Sequence, residues 1–342
     1  MPDVLCLGEI LVDWVSTTVG AELDRAEQFT KAPGGAPANT AVGLARQGIA
    51  TAFIGRVSDD EFGRWLKAVL EKDGIDTTLT IQDADAQTRM AYVVTTATGD
   101  RKLADFTKIA CADARLRPED LKEELFAHAS VLHFGSISLI ANPAADATRR
   151  AVELGRQYGL LISYDPNVRL GLWPSKEACR EKILETLSWA DIVKINEDEL
   201  HFLTGSRELA KADELRETHN IPVLVVTLDL RGAYLTTKRG NKLIPGFQVK
   251  LVEATGAGDG FNSGVISGLI NFVRPGAQPF EQHKGDRRKI VEALELHDLS
   301  EIIRRANAIG ALTCTRAGAI PALPTKEEVD RFLAQMAAQT TV

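Results

Sequence analysis

The chain has 342 residues, of which 44% are hydrophobic and 25% are charged. This composition is ordinary for a globular protein with a sizeable core, and it excludes collagen-like, disordered and disulfide-stapled chains. The 47 acidic and 40 basic residues give a net charge of −7, which excludes nucleic-acid binding through overall positive charge. Four scattered cysteines without a CxxC pair predict reduced thiols. The sequence has no signal-peptide pattern and no apolar stretch of 18 residues, so we expect a cytoplasmic protein with neither membrane nor nucleic acid as a partner.

Short apolar runs alternate along the chain with amphipathic segments. The predicted strands cover residues 4–7, 51–54, 131–134, 160–164, 192–195 and 223–227. The predicted helices cover residues 37–47, 59–72, 143–158, 176–189, 258–272 and 299–314. Several strands are continuously apolar, which is typical of strands buried on both faces of a parallel sheet. The alternation predicts an α/β fold, with three layers around a mostly parallel central sheet.

Two regions, residues 9–31 and 88–106, break this alternation. Both are predicted to be short strands with turns, and residues 98–100 have the composition of a hairpin turn. We expect them to form a small β-strand lid over one edge of the main sheet, within a single domain of residues 1–342. Residues 274–286 are rich in proline, glycine and charge, and are predicted to form a surface loop.

The most informative segment is residues 253–261, which read EATGAGDGF before an apolar helical stretch. Glycines let backbone N–H groups converge on an anion without a Cβ clash, and the helix start adds its positive dipole end. The alternative is an ordinary strand-to-helix turn that Asp259 caps. The Walker A pattern, GxxxxGK followed by Ser or Thr, is absent, which argues against an ordinary P-loop enzyme.

Two further segments share this polar character. Residues 32–41 read APGGAPANTA and place Gly34, Gly35 and Asn39 at the entrance of a predicted helix. Residues 196–199 read NEDE and follow a predicted strand. In this order and spacing, the three segments resemble the two signatures and the NxxE magnesium motif of the PfkB carbohydrate kinases.

The resemblance covers nearly the whole chain, and residues 131–139, 163–173 and 306–325 are similar to the fructokinase branch of the family. It implies a ribokinase-like α/β sandwich with a lid, and a reaction in which D-fructose and MgATP give fructose 6-phosphate and MgADP. Two alternatives within the family stay open: a 2-keto-3-deoxygluconate kinase, whose substrate carboxylate could meet Arg89, Tyr92 or Arg101 of the lid, and another sugar or nucleoside kinase. An alternative of another class is a non-catalytic regulatory relative that only binds sugar or nucleotide.

The resemblance assigns the phosphate-transfer roles to the glycine-rich segment. Asp259 matches the catalytic aspartate, which accepts the proton of the sugar hydroxyl as its oxygen attacks the γ-phosphorus. The backbone amides of Gly256, Ala257 and Gly258 would form an anion hole for the transferred group.

The sugar-binding residues implied by the resemblance lie in three parts of the chain. Asp13 matches an acid that grips sugar hydroxyls, with an exposed turn acid as the alternative. Gly34, Gly35 and Asn39 would complete that grip. Arg169 matches a cation near the substrate and the phosphates, with a surface salt bridge as the alternative.

The implied nucleotide and metal contacts lie toward the end of the chain. Thr227 would contact phosphate, and Asn307 would lie near the adenine. Asn196 and Glu199 would organise Mg²⁺ through water, and the alternative is a helix N-cap with an acidic first turn.

The chain departs from the family pattern at Ser58, Glu253 and Asp229, and two of these add negative charge near the phosphate region. These acids also fall near the region where the family binds a monovalent cation, so K⁺ activation is an open expectation. A homodimer formed through the lid is a separate open expectation.

Overall fold

The computed structural model describes residues 1–97, 101–107 and 111–340. The hairpin turn predicted at residues 98–100 lies outside the described residues.

The secondary structure alternates strands and helices, with short 3₁₀ turns between them. The strands are β1 Val4–Leu7, β2 Leu11–Ser16, β3 Phe29–Gly34, β4 Thr51–Ser58, β5 Thr80–Asp83, β6 Met90–Thr95, β7 Arg101–Phe106, β8 Val131–Gly135, β9 Leu161–Asp165, β10 Ile192–Asn196, β11 Val223–Thr227, β12 Ala233–Thr237 and β13 Gly240–Ile244. The helices are α1 Ala36–Arg46, α2 Glu61–Lys72, α3 Glu123–His128, α4 Ala144–Gln157, α5 Lys176–Leu187, α6 Glu197–Thr204, α7 Ala210–Thr218, α8 Ala257–Val273, α9 Gln278–Gln282, α10 Arg287–Ala293, α11 Leu296–Thr313 and α12 Lys326–Thr340.

Every strand and helix predicted for the α/β alternation is present, with ends shifted by no more than four residues. The prediction of a surface loop at residues 274–286 needs a correction, because the short helix α9 lies within it. Its Pro279 occupies the first turn of α9, where a missing N–H is tolerated.

The main sheet has nine strands in the order β13-β12-β11-β10-β9-β8-β1-β4-β5. Pairing is parallel from β11 to β5, and β12 and β13 add two antiparallel pairings at one edge. On β1, Val4 and Cys6 pack into a core shared with α1, α8 and α11, whereas Leu5 and Leu7 pack into a core shared with α4 and α5. The strands are thus buried on both faces, which confirms the predicted three-layer α/β fold.

A second, four-stranded sheet has the order β3-β2-β6-β7. It confirms the predicted lid, although β3 continues to Gly34 rather than ending near residue 31. Its own apolar cluster is small, consisting of Leu11, Ala91 and Phe106 with Leu172 packed against them.

The lid also rests on helix α2 through aromatic contacts. The Lys31 ammonium lies 4.2 Å from the ring centroid of Trp65, which is a cation–π distance. The rings of Trp14 and Phe62 meet edge to face, with centroids 5.9 Å apart. These contacts fix one side of the lid to the layer that contains α2.

The carboxyl ends of the central parallel strands meet at one edge of the main sheet, and α1 and α8 begin there. Crevices at this edge are where open α/β sheets bind ligands. Among the described residues, no helix is long and apolar enough to cross a bilayer.

Asp191 stabilises the opposite edge of the sheet. It is fully buried just before β10, and its carboxylate accepts hydrogen bonds from Arg156 and Arg288, each at 2.7 Å, and from the Ile162 amide at 2.8 Å. One acid thus joins α4, α10 and β9.

We expect Asp191→Asn to lower the free energy of unfolding by about 2–4 kcal/mol, because two arginines lose their shared counter-charge. Denaturant unfolding measures this change, with Asp24→Asn as the control, since the Asp24 side chain is 76% exposed. Equal stability of the two variants would show that the buried acid is not a structural anchor.

Candidate active site

The glycine-rich segment forms the start of α8, as predicted. Gly256 is the N-cap residue and has a left-handed backbone with φ of 80°. A Cβ at this position would lie 2.9 Å from the backbone of Ala319, so glycine is required here for two reasons. The Ala257 amide donates to the Ala254 carbonyl at 3.1 Å and so closes the turn. One of the three amides predicted to form the anion hole, that of Ala257, is therefore already paired within the turn.

Asp259 lies in the first turn of α8 and is only 8% exposed. The side-chain amide of Asn39 donates to its Oδ2 at 2.8 Å. Burial raises the pKa of Asp259 to about 6, and the charge of Asp165 adds to this increase. The Asn39 hydrogen bond and the charges of Lys194 and Arg169 oppose it. The structure thus brings together the acid of one predicted motif and the amide of the other.

A buried polar cluster lies beneath Asp259 that the sequence interpretation missed. Lys194 on β10 donates to Asp165 on β9 at 3.0 Å, and Asn262 on α8 donates to the same oxygen at 2.6 Å. Nearby His133 is fully buried, and burial lowers its pKa to about 4, so the imidazole is neutral. A lysine within the otherwise apolar run IVKIN was the available signal for this cluster.

The predicted sugar-binding residues meet where the lid joins α1. Asp13 on β2 pairs across the lid with β3, and a Cβ at Gly34 would overlap the Asp13 carboxylate. Gly35 has φ of 106°, and a Cβ there would lie 2.5 Å from the Glu9 carbonyl oxygen. Both glycines are therefore required by close approaches, and Asp13, Gly34, Gly35 and Asn39 line one continuous stretch of the site.

Several buried polar atoms near this edge have no hydrogen-bond partner within residues 1–97, 101–107 and 111–340. They include Asn39 Oδ1, Ser136 Oγ and Ser138 Oγ. Ser136 follows β8 directly, at the carboxyl edge. Buried polar atoms are nearly always paired in folded proteins, so these atoms point to a polar ligand. The serines lie in a stretch that the sequence analysis used only for family resemblance.

Asn196 and Glu199 form a reciprocal capping box at the start of α6. The Glu199 amide donates to Asn196 Oδ1 at 2.8 Å, and the Asn196 amide donates to Glu199 Oε2 at 2.9 Å. The other Glu199 oxygen accepts from the Val168 amide at 2.8 Å. The alternative of a helix N-cap is thus confirmed as their structural role.

The metal-binding prediction for these two residues has to fit that capping role. In the part of the chain that the structure describes, no group of three His, Cys, Asp or Glu could hold a metal directly. Each carboxylate oxygen of Glu199 still has a free lone-pair direction in principle. The donor set therefore fits contact with the water shell of Mg²⁺, rather than direct coordination.

Arg169 faces a cavity of about 480 Å³ between lid strand β7 and the start of α6, which Phe106, Asn196 and Glu199 also line. Its guanidinium donates to the Val168 carbonyl at 3.1 Å. Among the described residues, no carboxylate lies within ion-pair distance of Arg169, which argues against the surface salt bridge.

The residues predicted to contact the nucleotide lie farther along the carboxyl edge of the main sheet, near β11 and β13. Thr227 ends β11 and is half-buried. Asn307 is buried on α11, where its amide donates to the carbonyls of Ile244 at 3.2 Å and Pro245 at 3.1 Å. That amide therefore also holds the end of β13.

Two of the unusual acids near this region have clear structural explanations. Asp229 has φ of 50°, a left-handed conformation that favours glycine and that Asp tolerates. Glu253 is buried, and its carboxylate accepts a hydrogen bond from the Gly318 amide at 2.8 Å. Both acids are thus part of the local backbone structure.

Comparison with known proteins gives one consistent result. The family model described as pfkB family carbohydrate kinase matches residues 1–326. The chain is 41% identical over 331 residues to fructokinase-1 of Oryza sativa subsp. japonica, covering 96% of this chain and 97% of the relative. It is 39% identical over 331 residues to probable fructokinase-4 of Arabidopsis thaliana, covering 96% of both chains.

Solved structures agree. A fructokinase with bound ATP from Xylella fastidiosa superposes with a TM-score of 0.84 at 28% identity, covering 98% of this chain and 100% of that chain. A fructokinase double mutant from Vibrio cholerae O395, bound to fructose, ADP and a potassium ion, gives a TM-score of 0.81 at 30% identity, covering 97% and 98%. With the fold, the two signatures and the full-length match in agreement, this chain belongs to the pfkB family of carbohydrate kinases.

Proposed function

We propose that this enzyme is a fructokinase, which transfers the γ-phosphoryl group of MgATP to D-fructose and releases fructose 6-phosphate and MgADP. The observation that carries the proposal is the buried Asp259 at the start of α8, held by Asn39 from the opposite motif. The fructokinases at about 40% identity support the choice of sugar. The neighbours solved with ATP, and with fructose and ADP, support the pair of substrates.

Asp259 is positioned to act as the general base. Its carboxylate takes the hydroxyl proton as the sugar oxygen forms a bond to the γ-phosphorus, and the bond from that phosphorus to the bridging oxygen of ADP breaks. The amides of Gly256 and Gly258, with the positive end of α8, stabilise the charge on the transferred group. Arg169 adds a cation on the side of the cavity.

The sugar lies between Asp13 on the lid and the start of α1. The Asp13 carboxylate accepts hydroxyl hydrogen bonds. The missing Cβ of Gly34 lets this carboxylate lie against the β3 backbone, at the start of α1. The unpaired oxygens of Ser136 and Asn39 supply further partners for a polyol.

The ion pair of Arg89 bears on the choice between fructose and 2-keto-3-deoxygluconate. Arg89 is 7% exposed, and it donates to Asp113 at 2.8 Å and to the Thr107 carbonyl at 3.0 Å. A substrate carboxylate would compete with Asp113 for this guanidinium. The buried pair therefore disfavours Arg89 as the partner of a substrate carboxylate.

The remaining contacts follow the family pattern. Thr227 and Asn307 lie on the nucleotide side, with Asn307 near the adenine and Thr227 near the phosphates. Asn196 and Glu199 would contact the water shell of the magnesium that arrives with ATP. K⁺ activation, a homodimer formed through the lid and a cytoplasmic location stay predictions.

The substrate is tested by measuring ADP release with fructose, 2-keto-3-deoxygluconate, ribose, glucose and nucleosides. We expect kcat/KM for fructose to exceed that for every other acceptor by at least about tenfold, since a polar site left unpaired by the wrong hydroxyl pattern loses at least this factor. A higher value for 2-keto-3-deoxygluconate would overturn the assignment of the sugar, and no turnover with any acceptor would favour a binding protein.

Asp259→Ala should lower kcat by roughly 10²–10⁴-fold, because the general base is lost. Since the pKa of Asp259 is raised to about 6, the carboxylate is ionised above that pH. Wild-type kcat/KM should therefore fall as pH decreases through about 6. Asp286→Asn is the matched control, because Asp286 also begins a helix, α10, but lies outside the site. A kcat for Asp259→Ala above a tenth of the wild-type value would refute the role.

Asp13→Ala should weaken fructose binding by roughly 10- to 100-fold, the usual loss for a charged hydrogen-bond acceptor, while ATP binding changes little. Titration calorimetry of both ligands measures this, with Asp24→Ala as a control near the same lid. An equal loss for fructose and ATP would assign Asp13 a structural role instead.

A further inference from the structure

Lys194 is a buried lysine in the centre of the main sheet. It lies on β10 between β9 and β11, and it is 7% exposed. Its neighbours Val193 and Ile195 pack into the core on one face, whereas Ile192 packs into the core that contains α8. Because side chains alternate along a strand, Lys194 points toward α8. An ammonium buried here is costly unless it is paired.

The lysine is paired with Asp165, and the pair extends to the catalytic helix. Lys194 Nζ lies 3.0 Å from Asp165 Oδ2, and the Asn262 amide donates to the same oxygen at 2.6 Å. Asn262 follows Asp259 by three positions, so both side chains lie on the same side of α8. The pair thus joins β9 and β10 to the first turns of the helix that carries Asp259.

The ammonium also lies directly beneath the glycine-rich turn. A Cβ at Gly258 would lie 2.9 Å from Lys194 Nζ. Burial alone would lower the pKa of Lys194, but Asp165, Glu199 and Asp259 raise it above its ordinary value. The side chain is therefore a fixed positive charge next to the start of α8.

We propose that Lys194 and Asp165 form a positioning pair for the phosphoryl transfer, which fixes the first turn of α8 and sets the charge that surrounds Asp259. The proposal rests on the role of Asp259 as general base. The pair acts through Asp259 and the Gly258 turn.

Lys194 and Asp165 shift the pKa of Asp259 in opposite directions. Burial is the largest influence on its pKa, and the Asn39 hydrogen bond opposes it. Among the charged neighbours, Asp165 raises the pKa, whereas Lys194 and Arg169 lower it. Removing the lysine charge therefore makes Asp259 harder to ionise, and removing the Asp165 charge makes it easier.

The experiment compares the pH dependence of kcat/KM for fructose in three variants. The acid limb is the part of this profile where kcat/KM falls with decreasing pH. Lys194→Met should move the acid limb to higher pH by about one unit, as expected for the loss of one nearby charge. Asp165→Asn should move it to lower pH by about the same amount. At pH 5.5, kcat/KM of Lys194→Met should fall roughly tenfold as a result. The double variant Lys194→Met with Asp165→Asn should have a limb near the wild-type position.

A surface pair of the same type provides matched controls. Lys289 and Asp286 on α10 are 2.8 Å apart, and the Lys289 side chain is 70% exposed. Lys289→Met and Asp286→Asn should leave the acid limb unchanged. Thermal unfolding identifies any variant that fails to fold.

The sign of the shift decides the outcome. Limbs that move in the same direction in Lys194→Met and Asp165→Asn, or that do not move, would overturn the proposal. If one single variant does not fold, the direction in the other and the position in the double variant give the answer, because the double variant loses one buried charge of each sign. If Asp259→Ala keeps its activity, the general-base assignment fails instead, so the two failures are distinguishable.

Discussion

The hydrogen bond between Asn39 and Asp259 joins the first turns of α1 and α8, which are separated by 220 residues in sequence. It can form only if the two helices pack closely at their N-terminal ends. Small residues allow this approach: a Cβ at Gly43 would lie 2.6 Å from Ser263 Oγ. The two glycine-rich motifs therefore depend on one helix–helix contact, and the orientation of the proposed base toward the proposed sugar site follows from it.

The charges around this contact are of both signs, and Asp165, Lys194 and Asp259 are buried. Asp259 is surrounded by Asp165, Lys194 and Arg169, so each charge has an opposite neighbour within the cluster. Low dielectric strengthens these interactions and equally penalises any unpaired member. A second acid, Glu9, shows the cost of weaker compensation, because burial raises its pKa to about 7. The site thus has a strong preorganised field, and a change at one member alters the others.

Local patterns were enough to predict the three layers, the lid and the positions of Gly256, Asp259 and Gly35, because apolar periodicity and glycine-rich turns are short-range signals. The helices α3, α6, α7, α9, α10 and α12 were missed. All of these except α12 span only five to nine residues, which is too short for a clear apolar periodicity. The Lys194–Asp165 pair could not be predicted, because it depends on which strands become neighbours. Likewise, only the folded structure shows that Arg89 is committed to Asp113.

The support for the start of α8 comes from the last part of the main fold. Glu253 bonds to the Gly318 amide, Gly256 packs on Ala319, and Arg46 of α1 bonds to the carbonyl of Leu323. Chains emerge from the ribosome from the N-terminus, and early segments can pair before later ones exist. Strand β1 can pair with β4 and β8 in a partly synthesised chain, but the helix that carries Asp259 lacks its supporting turn until Leu323 has emerged. Every strand of the main sheet therefore emerges before the segment that supports the start of α8.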